Sequence, residues 1–240
     1  MAIPYKLYYW PLPFRGCFIQ LLLEHAGMKY DLANVDETAE LKNLPVPDQP
    51  VPAMAPPYLE DRSSGEHLSQ MPAIMMYLAG KHDYLPLDSY RRTLVLKILL
   101  DCNDVLSDLT NANGASMWEQ EKWRLFRSER LPRWMQIFEQ TGVRYGLENE
   151  SGYLLGNDRV TCADIAATAL FGTMMRCLEP LARDITRTAP RIAALVARIE
   201  SQPRIKDFIS RQQTEFGDLY CGGQIERSIR QMLAMDEADR

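Results

Sequence analysis

The sequence predicts a small α/β unit followed by a larger all-helical one, and three observations carry that prediction. The first eighty or so residues alternate strand-like and helix-like segments in the order β-α-β, loop, β-β-α. From about residue 90 onward the apolar residues recur at helical spacing to the end of the chain. Between the two lies KHDYLPLD, residues 81–88, whose proline and mixed polarity read as a linker. The boundaries that follow are 1–82 and 90–240.

Each element has a local reason. YKLYYW at 5–10 is aromatic and short, as a strand requires. From Arg15 the pattern changes, and Phe18, Ile19, Leu21, Leu22 and Leu23 form a broad apolar helical face that ends at Gly27, a natural helix terminator. MKYDLANVD reads as a second strand. Six prolines between 43 and 57 (45, 47, 50, 52, 56 and 57) make that stretch an extended loop. YLED followed by RSSGEHL reads as a hairpin, and a helix is expected from about Ser69, with Ile74, Tyr77 and Leu78 on one face. Later, RRTLVLKILLDCNDVLSDL and WEQEKWRLFRSERLPRWMQIFEQT are long amphipathic stretches. VTCADIAATALFGTMM is apolar on nearly all sides and is expected at the centre of a bundle. Thr161 and Asp164, three apart just before that run, have the spacing of a capping box.

Composition removes several classes of function. A net charge of −5 argues against nucleic acid as a partner, since phosphate binding needs a basic face. No apolar run approaches the roughly 20 residues of a membrane span, and MAIPYKLYYW lacks the layout of a secretion signal. Five scattered cysteines with no C-x-x-C pair give neither a disulfide framework nor zinc spacing, and histidines 25, 67 and 82 are too dispersed for a metal cluster. A cytoplasmic protein without a metal is the expectation.

Several segments then resemble the cytosolic glutathione transferase superfamily: PPYLED, LSQMPAIMMYLAGKHDYLP, YLLGNDRVTCADIAA and PRIAALVARIESQPRIKDFI, in order and at suitable separations over nearly the whole chain. The resemblance implies a thioredoxin-like N-terminal domain that holds glutathione and an all-α domain that forms most of a second substrate's pocket. It also implies a homodimer.

The same resemblance points to Tyr9. In tyrosine-dependent classes of the family the activating hydroxyl stands at the end of the first strand, and Tyr9-Trp10-Pro11 is similar to that segment. Strand alternation independently sends Tyr8 and Tyr9 to opposite faces. The chemistry needs such a donor. A free thiol has a pKa of about 8.5, and lowering it by two units corresponds to roughly 2.7 kcal/mol. A hydroxyl donating to the sulfur supplies stabilisation of that kind, aided by the positive end of a helix. Leu12 stands where other classes carry a loop serine. Cys17, close to a helix start, is the rival: facing the cleft it would make the protein a thiol–disulfide oxidoreductase, whereas inside the helix it is simply a small buried residue.

The remaining expectations also come from the resemblance. Pro57 is the cis-proline before the third strand, with Pro56 supplying its carbonyl. Gln70-Met71 corresponds to a pair whose second member is usually serine. Methionine there cannot donate a side-chain hydrogen bond to the γ-glutamyl carboxylate, so only the backbone N–H at the helix start remains. Arg15 is expected near the peptide or as a brace, and Asp104 (or Asp101 one turn earlier) near the γ-glutamyl amine. Trp10, Leu12 and Phe14 form an apolar lip for the second substrate. The resulting reading is a detoxification-type transferase that activates glutathione for attack on small hydrophobic electrophiles. The alternatives are a non-catalytic interaction or regulatory protein on the same fold, and exchange through Cys17. The segment after Gln212 is left open between covering the site and fraying.

Overall fold

The computed structural model describes residues 3–238. Its N-terminal region runs β1 (Tyr5–Tyr8), α1 (Arg15–His25), β2 (Tyr30–Leu32), α2 (Val35–Asn43), β3 (Tyr58–Asp61), β4 (Glu66–Ser69) and α3 (Met71–Lys81). The four strands form one mixed sheet in the order β2-β1-β3-β4, with β1 parallel to β2 and antiparallel to β3. Tyr5 and Leu7 of β1 are buried while Lys6 and Tyr8 face outward, the period-two alternation of a strand with one covered face.

Two expectations are corrected here. The second strand is three residues long, and the stretch after it is the helix α2, which the strand reading of MKYDLANVD had absorbed. Its start is a capping box: Asn34 Oδ1 accepts from the Glu37 N–H and Glu37 Oε2 accepts from the Asn34 N–H, both at 2.9 Å. The first strand ends at Tyr8, two residues short of the aromatic run, so Tyr9 begins the loop. The proline-rich stretch holds only a 3₁₀ turn at Val46–Asp48.

The helical region begins with α4 (Ser89–Leu109), capped by the Asp88 carboxylate, which accepts from the Arg91 N–H. Three consecutive non-glycine residues, Asn111, Ala112 and Asn113, then adopt positive φ, followed by Gly114. This single left-handed turn costs an L-residue about 1–2 kcal/mol per position. Next comes α5 (120–144), interrupted by a π turn at Phe126–Arg130. Pro132 explains the interruption. It has no N–H and its ring presses on the carbonyl one turn back, and the widened turn just before it relieves both.

The central α6 (162–177) is buried along most of its length, as its all-round apolar sequence requires. It is followed by α7 (Glu179–Thr188), α8 (Pro190–Glu200), α9 (Pro203–Phe216) and α10 (Gly223–Ala238). Thr161 and Asp164 form their capping box at the start of α6. The C-terminal segment does not fray: Ile229, Met232 and Leu233 of α10 are buried in the common core.

Candidate functional site

Strand register brings the sequence-predicted site residues to one end of the sheet. Tyr8 pairs with Tyr58 across β1 and β3, and Tyr58 pairs with Ser69 across β3 and β4. One residue beyond each pair therefore stand Tyr9, Pro57 and Gln70, drawn from three distant stretches of chain. The Pro56–Pro57 bond is cis.

Tyr8 and Tyr9 face opposite ways. The Tyr8 ring lies on the outer face under Lys6, with its hydroxyl donating to Glu60 at 3.3 Å. Tyr9 turns toward the first turn of α1, where its hydroxyl accepts from the Arg15 backbone N–H at 3.0 Å. That N–H is one of the orphan donors of a helix start, so the phenol oxygen sits at the positive end of α1. Burial pushes the Tyr9 phenol well above its ordinary range, against the nearby Arg15 charge and backbone donor. It is therefore a neutral O–H at any physiological pH. Among the described residues its proton is given to no acceptor.

Gly16 makes this placement possible. A Cβ there would stand 2.3 Å from Tyr9 Cδ1. Alanine normally stabilises a helix interior by up to about 1 kcal/mol over glycine. Here the clash reverses the sign, and Gly16→Ala is expected to destabilise the fold by about 1–3 kcal/mol in denaturant unfolding. In a Tyr9→Ala background the penalty should vanish. Persistence of the full cost without the ring would place the clash elsewhere.

Arg15 is a brace. Its Nε donates to Asn103 Oδ1 at 3.2 Å and its Nη2 to Asn113 Oδ1 at 2.7 Å, tying α1 to α4 and to the left-handed turn. The guanidinium also lies over the Phe14 ring at 4.9 Å. Neither asparagine was legible as a site residue, because an amide on a half-buried helix face or in a turn carries no signal of a partner 88 or 98 positions away.

Cys17 is buried between α1, α6 and α9. Its thiol lies 3.8 Å from Thr173 Oγ1 and donates to Gln212 Oε1 at 3.6 Å, and burial pushes it up. A thiol so enclosed and so poorly ionised does not reach a bound peptide, which removes the structural basis for exchange through Cys17.

At α3, Gln70 precedes the helix with φ of 70°, and Met71 is only 1% exposed, its side chain in the core below the sheet end. Methionine therefore serves packing here, while its N–H stays at the helix start. Pro72 removes one further donor from that turn. On α4, Asp101 pairs with Lys97, and Asp104 is exposed one turn on. The apolar lip is corrected in part. Trp10 and Leu12 are half-buried, but Phe14 is 7% exposed and meets the Tyr220 ring edge-on at 5.4 Å, so it is a core residue and does not line an open pocket.

What covers Phe14 is the C-terminal segment, whose role the sequence left undecided. Tyr220 packs on Phe14, and Gly222 comes so close that a Cβ there would stand 3.1 Å from Leu12 Cδ2. The strap is pinned by Glu226 Oε2, which accepts from the N–H groups of Tyr220, Cys221 and Gly222 at 3.0, 2.9 and 2.6 Å. Arg230 clamps the same carboxylate and the Asp218 side chain. Glycines at 217, 222 and 223, all at positive φ, were the available signal of a sharply turned strap.

No cluster of three or more histidine, cysteine or acidic side chains suited to a metal occurs among the described residues, and no helix among them is long and apolar enough to cross a membrane. A small mixed sheet with a cis-proline at its end, joined to a mostly helical region, defines a thioredoxin-like domain followed by an all-α one. Residues 94–232, more than half the chain, match the family described as glutathione S-transferase, C-terminal domain, and the chain belongs to the cytosolic glutathione transferase superfamily. It is 26% identical over 220 residues to the probable glutathione S-transferase gst-36 of Caenorhabditis elegans, a match covering 87% of this chain and 97% of that protein. It is 25% identical over 194 residues to glutathione S-transferase alpha-1 of Rattus norvegicus, covering 80% and 81%. The Pi-class glutathione S-transferase of Onchocerca volvulus shares the fold, with a TM-score of 0.72 at 18% identity over 92% of this chain and 98% of that one.

Proposed function

We propose that this chain is a glutathione-dependent transferase in which Tyr9 donates its O–H to the glutathione sulfur and holds it as thiolate. The single observation carrying this reading is the state of that hydroxyl: neutral, seated at the start of α1, accepting from Arg15 N–H and keeping its own proton free. Chemically, the bound thiol loses its proton to solvent, and the thiolate is stabilised by the Tyr9 hydrogen bond and the helix end. It then attacks an electrophilic carbon and displaces the leaving group or adds across the activated bond. Arg15 acts as a positioning residue, fixing the helix turn that presents Tyr9. In this reading Pro56, Pro57, Gln70 and the Met71 N–H hold the peptide backbone and its γ-glutamyl carboxylate, and Asp104 holds the amine. Trp10 and Leu12 offer the apolar surface for the electrophile, roofed by the 217–223 strap. No metal takes part, and the cytoplasm is the compartment of action.

The test is the ultraviolet thiolate absorbance of glutathione titrated with pH in the presence of the protein, followed by conjugation of a chlorodinitrobenzene. A lowered thiol pKa with product formation is expected. No binding at millimolar glutathione would overturn the reading and leave an interaction protein on a transferase fold.

We further propose that the division at 82–90 separates a peptide-binding unit from a substrate-pocket unit, and that two copies pair. Met54 is 87% exposed on the loop before β3, and an apolar groove of about 450 Å³ between α4 and α5 is lined by Tyr90, Ile98, Ile137 and Val143. An exposed methionine on one copy and an apolar groove on another are mutually complementary. Sedimentation of the wild type is expected at twice the chain mass, and Met54→Asp should shift it toward the monomer. A wild-type monomer, or a Met54→Asp dimer of unchanged affinity, contradicts this.

A further inference from the structure

A guanidinium with no counter-charge stands beside Tyr9. Arg15 is half-buried, and its partners are the amide oxygens of Asn103 at 3.2 Å and Asn113 at 2.7 Å and the Phe14 ring at 4.9 Å. Among the described residues it makes no ion pair, and its Nη1 donates to nothing. Arg127, Arg176, Arg191 and Arg230 are half-buried as well, and each takes at least one carboxylate.

The acids on the elements around Arg15 are engaged elsewhere. Asp101 of α4 pairs with Lys97, and Glu226 of α10 holds Arg230 and the strap. Asp104, next to Asn103 on α4, is exposed and does not pair with Arg15. Tyr9, Tyr220 and Cys221 are the ionisable groups in its field, and burial pushes each of them up, Cys221 to about 12. None of the three carries a negative charge at neutral pH.

An arginine does not relieve its burial by losing the proton, so the charge stays. A cation held partly out of water without a partner charge is costly, and an acid at either contact would remove that cost. Asparagine has the shape of aspartate and keeps an oxygen for the guanidinium, so the bond forms while the charge is left whole. The second amide comes from a backbone that is itself unfavourable. Asn113 ends the run of three positive-φ residues, a conformation that persists only where its surroundings hold it. Both amides fix the direction of the fork, and neither neutralises it.

We propose that Asn103 and Asn113 are positioning residues, which hold the Arg15 guanidinium toward the sulfur beside Tyr9 and keep it an uncompensated cation, so that the thiolate is the missing counter-ion of this cluster. The proposal rests on the Tyr9 reading above and extends it to two residues that do not touch substrate.

The experiment compares Asn103→Asp and Asn113→Asp with Gln213→Glu, an equal amide-to-acid change on the exposed face of α9, in two measurements. Urea unfolding of the ligand-free chain reads the charge balance. Asn103→Asp should raise the midpoint at neutral pH, because the new carboxylate meets an unpaired cation. Asp101 and Asp104, two positions and one position away, do not share its helix face. The new acid's pKa is held down in the fold, so the gain should be present at pH 7 and fall away below about pH 4. The ultraviolet absorbance of glutathione titrated with pH reads the chemistry. The same variant should raise the bound thiol's pKa by about one unit, a tenfold smaller ionisation constant. Asn113→Asp, exposed and better screened, should move both readouts in the same directions by less.

A more stable protein with a less acidic bound thiol is the expected signature, which a merely structural brace would not give. An unchanged or lower midpoint in Asn103→Asp would mean that Arg15 is already compensated and would overturn the proposal. An equal thiol pKa in Asn103→Asp and wild type, or an equal shift in Gln213→Glu, would overturn it as well, with the transferase reading left standing. If the wild type itself leaves the bound thiol near about 8.5, the transferase reading fails and the positioning role falls with it.

Discussion

Tyr9→Phe is expected to bind glutathione and fail to ionise it. The substitution removes one oxygen and leaves the ring that packs against Gly16, so the fold and the peptide contacts proposed for Pro57, Gln70 and Met71 should stay in place. What disappears is the hydrogen bond to sulfur. If the wild type lowers the thiol pKa from about 8.5 to about 6.5, the thiolate fraction at pH 7 rises from about 3% to about 76%, so the variant should conjugate about 25-fold more slowly at that pH. The sign of the pH dependence is definite. The wild-type rate should level off above the lowered pKa, the variant rate should keep climbing through the ordinary thiol range, and the two should converge above about pH 9, where both thiols are ionised. A constant ratio across pH would mean that Tyr9 acts on something other than thiol ionisation. An unchanged rate at pH 7 would remove Tyr9 from the mechanism. The reagent would then be the backbone N–H groups at the start of α1, and Arg15→Ala, which loosens that turn from Asn103 and Asn113, becomes the next variant.

The sequence carried the sheet and the long helices because short-range physics determines them. Alternation set Tyr8 and Tyr9 apart, the hairpin followed from RSSG between two strand-like runs, and α6 followed from apolar residues on every face. The helix α2 has a capping signal in Asn34-x-x-Glu37, but it lies between Tyr30 and Leu32, which read as strand, and prolines that read as loop. The site divides along the same line. Tyr9, Pro57 and Gln70 each stand one residue beyond a strand end, and strand register makes them neighbours. Asn103 and Asn113, and the Tyr220 strap over Phe14, depend on packing between segments far apart in the chain. Residue type showed that Phe14 is apolar. It could not show whether solvent, substrate or another part of the chain covers it.

Asp164→Ala is expected to be the most damaging single change away from Tyr9. Asp164 is fully buried, and its two oxygens serve three donors: Oδ1 accepts from the Leu154 N–H at 2.7 Å, while Oδ2 accepts from the Thr161 N–H at 2.8 Å and the Thr161 hydroxyl at 2.7 Å. Burial pushes the carboxyl up, opposed by those bonds. An acid whose folded pKa lies above its unfolded value contributes less to stability as pH rises through the ordinary carboxylate range, so the charge itself is a net cost. The benefit lies in the acceptors, which satisfy two buried backbone donors. Alanine leaves both unpartnered at about 1–3 kcal/mol each, for an expected loss of about 3–5 kcal/mol, a large part of the roughly 5–15 kcal/mol by which a domain is stable. Asparagine keeps the volume and one acceptor for Leu154 but turns an NH₂ toward the Thr161 donors, so its loss should be intermediate. Urea unfolding of the two variants separates the terms. Equal losses for alanine and asparagine would mean that the charge matters more than acceptor count, and a loss below about 0.5 kcal/mol for alanine would mean that water enters and satisfies the start of α6 without it.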